Sequence, residues 1–341
     1  VSYFVRPGSK LDHEAFDRSF SVYLVDRTIP MLPEALSNDL CSLNPNVERL
    51  AFSTIFEITP DAEVVEQWFG RTVIKSDKRF SYEEAQKSLD TGNGDYYQVL
   101  NTLNTLAKKL SAKKMANGAI RFEKDEFQFE LDKNGVPVRV YKKEHLETHS
   151  LIEEFMLLAN KHVARFIHDT DKKMHGGKEG HLMYRVHHLP DEDKLKDLSH
   201  FVRAMGYKLE LKKDGSVSPS QINELIDAVS GKPEESLVST AAIKTMSKAL
   251  YSTENQGHFG LAFDYYTHFT SPIRRYPDLI VHRILDHLLQ KQKVSDEEMV
   301  YFKKSAEQSS EQEVVHKLQK EIYKIQTSRF MHVILVKNSM V

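Results

Sequence analysis

Cysteine is almost missing from this 341-residue chain: Cys41, alone in DLCSLNP, is the only one. A single thiol excludes a disulfide framework and a cysteine-built zinc site, and it fits a reducing, cytoplasmic compartment. No apolar run approaches the roughly 18 residues that a membrane-spanning helix needs, so no membrane association is expected, and the N-terminus does not read as a signal peptide. Positive charge is not in excess. The formal net charge of −2 rules out a uniformly basic nucleic-acid coat and leaves anion binding to local groupings of Arg and Lys. There is no Gly-rich phosphate loop and no G-x-S-x-G elbow. The histidines lack the spacing of a zinc helix, since His187 and His188 are adjacent and His282 and His287 are five apart.

What the chain does have is globular: 40% hydrophobic and 28% charged residues allow a sizeable core. Residues 1–80 mix apolar alternations (VSYFV, SVYLV, AFSTIFEIT) with Pro- and Gly-marked turns, which predicts strands with extended loops. VSYFVRPGS reads as a strand end turning at Pro7 and Gly8, and Pro30 and Pro33 forbid a regular helix or central strand. From Ser81 the pattern becomes helical. Ser81 and Glu84 have capping-box spacing, DTGNGD is a turn, and YYQVLNTLNTLAKKLSAKKM is periodic, so a helical hairpin is expected. RFEKDEFQFELDKNGVPVRVYKK reads as a β-hairpin turning at Asn134 and Gly135.

HSLIEEFMLLANKHVARFI, residues 149–167, predicts a helix with Ile152, Phe155, Ala159, Val163 and Phe166 on its apolar face and Glu153, Glu154 and Asn160 off it. Further helices are expected over about 191–206, 218–229 and 234–251, from Pro272 or Pro277 to Gln290, and from a Ser295/Glu298 capping box to about Met331. With no repeat and no long linker, a single large α+β domain is the simplest account. The opening Val1 and the apolar close SRFMHVILVKNSMV suggest that both ends lack neighbouring segments.

The stretch FDYYTHFTSPIRRYPDLIVHRIL, residues 263–285, concentrates hydroxyls, His268 and the pair Arg274–Arg275 before an amphipathic helix. If Thr270 or Ser271 caps a helix starting at Pro272, backbone N–H groups and two guanidinium groups converge as in a phosphate site. The alternative is a solvated helix start with Asp278 as the arginines' partner. Aromatics interleaved with basic residues elsewhere, such as Tyr23 between Arg18 and Arg27 and Phe122 beside Arg121, suit stacking of single-stranded nucleic acid, although each also suits a core.

Three blocks resemble, in order and spacing, the catalytic RNB domain of the ribonuclease II and ribonuclease R family, closer to the bacterial ribonuclease R type. They are VSYFVRPGSKLDHEAF with SVYLVDRTIPMLPEALSNDLCSLNP, then HSLIEEFMLLAN, then GLAFDYYTHFTSPIRRYPDLIVHRIL. The resemblance covers essentially the whole chain. It implies an α+β fold, a mixed or antiparallel sheet surrounded by helices around an RNA channel. It also implies processive 3′→5′ hydrolysis of single-stranded RNA to nucleoside 5′-monophosphates, with Mg²⁺ held by aspartates.

By the same resemblance, Arg274 faces the scissile phosphate as the catalytic arginine. Tyr23 and Phe122 pack on the terminal nucleotide, Glu153 or Glu154 contacts it, and His268, Ser271 and Arg275 join the RNA-binding set. The family's D-x-D-D-A-like motif would lie upstream of Val1, so residues 1–331 are expected to be an RNB domain lacking its N-terminal aspartate segment, and 332–341 the start of a C-terminal RNA-binding region. The last helix has LQKEI, with Gln319 where the family often has Glu and with Glu321 nearby. The resemblance thus leads to an exoribonuclease fragment, monomeric and inactive alone. The rival is a non-catalytic RNA-binding scaffold on a degenerate nuclease domain.

Overall fold

The computed structural model describes residues 1–121, 126–177 and 182–338, with side chains as far as Arg329. The N-terminal segment turns at residues 2–5 and enters α1 (Lys10–Arg18). VSYFV is therefore a turn and not a strand. Ser9 caps α1 by accepting the Asp12 N–H, and Val5 is driven into the core instead of alternating in a sheet. Two short strands, β1 (Val22–Tyr23) and β2 (Thr28–Ile29), pair antiparallel. Pro33 is followed by a π-helical turn over Ala35–Leu40, consistent with its bar on a regular helix.

A long antiparallel hairpin follows, β3 (Glu48–Ile58) and β4 (Val64–Lys75), with Phe52 opposite Arg71 and Ile55 opposite Trp68. The expected helical hairpin forms as α2 (Tyr82–Thr91) and α3 (Tyr97–Ala116), with the reciprocal Ser81–Glu84 capping box in place. β5 (Phe127–Leu131) and β6 (Pro137–Lys142) flank the Asn-Gly turn, where Asp132 Oδ1 accepts the Asn134 and Val136 N–H groups, each at 2.8 Å.

The long helix α4 (Glu147–Met174) contains the predicted segment, but its buried face is rotated from the expected one. Ile152 is exposed, whereas Glu154 and Asn160 are buried, because each has a partner waiting inside. Lys114 sits 2.5 Å from Glu154, and the Phe269 N–H donates to Asn160 Oδ1 at 2.9 Å. β7 (Tyr184–Val186) pairs antiparallel with β8 (Leu250–Ser252). Between them α5 (Glu192–Ala204), α6 (Pro219–Val229) and α7 (Glu235–Thr245) close a separate small core around Leu195, Ile222 and Val238. The third predicted helix ends early, at Thr245, because residues 250–252 are claimed by the strand pair.

α8 (Tyr276–Leu289) is the centre of the main core: Tyr276 through Leu285 are all buried, against α4, the β7 region, the N-terminal segment and α9 (Asp296–Asn338). A helix apolar on all sides belongs inside, and its few polar groups then need partners. Asp278, His282 and Arg283 find them, as described below. Among the described residues the strands form four two-stranded antiparallel pairs set among the helices, and no helix is long and apolar enough to cross a membrane.

Candidate nucleic-acid cleft

A cleft of about 1210 Å³ opens between the N-terminal segment, the β1–β2 loop region, the β3–β4 hairpin and the start of α8. Its floor is aromatic. Phe269 stacks on His282 with ring centroids 4.3 Å apart, and Phe52 meets both rings. The His282 Nε2 hydrogen-bonds the Phe269 carbonyl at 2.8 Å, and burial holds its pKa down to about 4. It is therefore a neutral donor committed to the backbone, not a proton shuttle.

The SPIRR turn forms one wall. α8 begins at Tyr276 with Pro277 in its first turn and no side-chain cap, so neither Thr270 nor Ser271 caps a helix starting at Pro272. The cause is Asp278. Its Oδ1 accepts the Ser271 N–H and the Arg275 Nη2, each at 2.7 Å, and Ser271 O accepts the N–H groups of Arg274 at 3.2 Å and Arg275 at 3.0 Å. Residues 271–275 thus make a separate turn ahead of the helix. The turn is stitched to the chain carrying Tyr23: the Ser21 N–H donates to Arg274 O at 3.1 Å and the Tyr276 N–H to Ser19 O at 2.8 Å, while Arg275 bridges Phe20.

This backbone bridge separates the two arginines. Arg275 turns inward to the fully buried Asp278, so the structural partnership with Asp278 holds for Arg275 alone. Arg274 is exposed, lines the cleft, and has no ion pair among the described residues. Tyr23 lines the same cleft with 44% of its surface exposed, and Ser271 joins them.

The other expected site residues lie elsewhere. His268 does not line the cleft. Its Nδ1 hydrogen-bonds Tyr251 Oη at 2.8 Å, and burial together with the Arg275 charge keeps it neutral, well below the usual histidine range. Its ring packs edge-on against the Tyr251 and Tyr266 rings. Glu154 is spent on Lys114, Glu153 is exposed on α4, and neither lines the cleft. Phe122 lies outside the described residues.

Three charged cleft residues, Arg71, Asp286 and Arg283, were not anticipated. Arg71 of β4 pairs with Asp286 of α8, and both line the cleft. No local pattern signals a pair 215 positions apart. Arg283, also lining the cleft, is buried and donates to Asp12 Oδ1 at 2.7 Å and to Val5 O at 2.8 Å. Tyr276 donates to the same Asp12 oxygen at 2.8 Å, and the Gly8 N–H to its other oxygen at 2.9 Å, which locks the N-terminal segment to α8.

Fold and cleft define a domain of the RNB type: the RNB domain family model matches residues 1–291, and the chain belongs to that family. Its relatives include ribonuclease R of Aquifex aeolicus, 37% identical over 320 residues that make up 92% of this chain and 44% of the relative. Ribonuclease R of Thermotoga maritima is 40% identical over 84% of this chain and 40% of the relative. Among solved structures, Mycoplasma genitalium RNase R in complex with ribose methylated single-stranded RNA superposes with a TM-score of 0.88 at 29% identity, covering 97% of this chain and 52% of that one. The chain thus spans less than half the length of these curated relatives.

Proposed function

We propose that this chain carries the RNA channel and phosphate clamp of a 3′→5′ exoribonuclease that hydrolyses single-stranded RNA processively to nucleoside 5′-monophosphates, acting as a cytoplasmic monomer. One observation carries the reading: Arg274 is the arginine of the SPIRR turn left without a counter-ion among the described residues, in the cleft that also holds Tyr23. RNA lies in the cleft with its terminal base against the Tyr23 ring, a sequence-tolerant contact. The Arg274 guanidinium, on a turn fixed by Asp278 and Ser21, stabilises charge developing on the phosphate at little reorganisation cost. Arg275 supports that turn and does not touch RNA.

Among the described residues the Mg²⁺ that the family resemblance implies finds no fitting donor set. Among the described residues no three His, Cys, Asp or Glu side chains are grouped to hold a metal ion, and the roles above involve none.

The test is degradation of a 5′-labelled single-stranded RNA in Mg²⁺ by this chain, beside a graft that joins to Val1 the segment preceding the match in the Aquifex aeolicus relative. Both forms should bind the RNA, and the graft should trim it from the 3′ end to mononucleotides. If both bind and neither trims, the chain is a non-catalytic RNA-binding scaffold. If neither binds, the channel reading fails altogether.

A further inference from the structure

The cleft carries three arginines, and they differ in how their charge is used. Arg283 is buried and spent on Asp12. Arg274 is exposed and without an ion pair among the described residues. Arg71 lies between these extremes: its side chain is 67% exposed, and its Nη2 is paired with the Asp286 carboxylate, 20% exposed.

The position of Asp286 makes that pair weak. It sits in the last turn of α8, at the negative end of the helix dipole, where a carboxylate is disfavoured. It accepts the Gln290 Nε2 at 2.9 Å besides Arg71. An exposed ion pair of this kind adds little to stability, whereas a guanidinium and a phosphate form a charge-assisted and often bidentate contact. The strand register holds Arg71 in place, since it is paired across the hairpin with Phe52, whose ring packs against the Phe269 and His282 rings of the cleft floor.

We propose that Arg71 is a displaceable phosphate subsite. The backbone phosphate of a bound single-stranded nucleic acid takes the place of the Asp286 carboxylate on the Arg71 guanidinium, and Asp286 is an internal competitor that lowers affinity for every strand by the same factor. The inference rests on reading the cleft as an RNA channel. It divides the labour between two arginines: Arg71 holds the strand in the ground state, and Arg274 acts on the reacting phosphate.

The experiment is fluorescence anisotropy of a 5′-fluorescein single-stranded RNA on the full chain without Mg²⁺, in a salt series, for the wild type, Arg71→Gln and Asp286→Asn, with melting temperatures recorded alongside. Arg71→Gln should weaken binding roughly fivefold or more and reduce the salt slope by about 0.7, the value for one phosphate contact on a single strand. Asp286→Asn should tighten binding, because the competitor is gone. A purely structural latch would have the two variants move affinity in the same direction or leave it unchanged, and that result overturns the proposal. Asp286→Asn decides the matter even if Arg71→Gln fails to fold. If the wild type does not bind RNA, the channel reading falls and takes this inference with it. If the wild type binds and the two variants do not move in opposite directions, only the inference falls.

Discussion

The backbone N–H of Ser21 donates to the carbonyl of Arg274 at 3.1 Å. Through that bond the segment bearing Tyr23 and the turn bearing Arg274 share one frame, although some 250 residues separate them in sequence. Ser21 also accepts the Met31 N–H on its hydroxyl at 2.9 Å, so the strand, the turn and the following proline segment are positioned together. On the proposed reading, a stacking ring and a guanidinium that act on neighbouring parts of one nucleotide need such a common frame, because small misplacements are costly in rate.

Tyr23→Ala should weaken binding of RNA through its 3′ end by about 1–3 kcal/mol, the worth of one stacked base, while Tyr23→Phe should retain it. A 2-aminopurine at the 3′ end, quenched when stacked, reads this directly, and equal quenching by the alanine variant would remove Tyr23 from the site. In a hydrolysing form the same variant should leave a longer final product without abolishing cleavage.

Arg274→Ala should behave differently. In the hydrolysing graft the rate should fall by about 100-fold or more, with RNA affinity almost unchanged, the mark of an interaction made mainly in the transition state. Single-turnover rates beside binding curves separate the two, and a large affinity loss at constant rate would contradict the assignment.

Stability should fall as the pH drops from 7 to 5. Burial lowers the His282 pKa to about 4, so the unfolded chain, with a value near 6.5, binds a proton that the native chain refuses. The contribution is complete above the unfolded value and is lost as pH falls towards the folded one, amounting to about 2 kcal/mol between pH 7 and 5. His258, lowered to about 3 mainly by burial, adds to the same trend. Urea unfolding at several pH values should show a flatter dependence in His282→Gln. An equal dependence in both proteins would show that His282 titrates normally.

Asp12→Asn should cost about 3 kcal/mol, because it leaves the Arg283 guanidinium buried without its counter-charge. The pair is almost wholly buried, at 8% and 1% side-chain exposure, so solvent screening does not soften the loss. Combining Asp12→Asn with Arg283→Met should recover part of it. Denaturation midpoints of the single and double variants measure the coupling, and strictly additive losses would mean that the two charges do not depend on each other.

Much of the scaffold was legible because local chemistry specified it. The Ser81–Glu84 box starts α2, the Asn-Gly turn joins β5 to β6, and helical periodicity gave α4. α1 escaped notice although Ser9 and Asp12 have N-cap spacing, because a nine-residue helix behind an apolar alternation presents two competing patterns. Residue chemistry alone made the site legible as a segment; it was the family resemblance that singled out Tyr23 and Arg274, which both line the cleft. Arg274 and Arg275 are chemically identical in sequence, and only the bridge between Phe20 and Arg275 decides which one faces the cleft. Likewise Glu153 and Glu154 differ by one helical step, and Lys114, forty positions away, decides which is buried. Pairing across such distances is a property of the packed chain and leaves no local trace.

The bond from Arg283 to Asp12 spans 271 positions. On a ribosome adding about 5–20 residues per second, the first half of that contact waits roughly 15–50 s for the second half to be made. Throughout that interval Val5, Asp12 and the turn that will face the cleft have no α8 to bury them. The N-terminal segment therefore reaches its buried state only once α8 has been made, and the cleft between them takes shape after both.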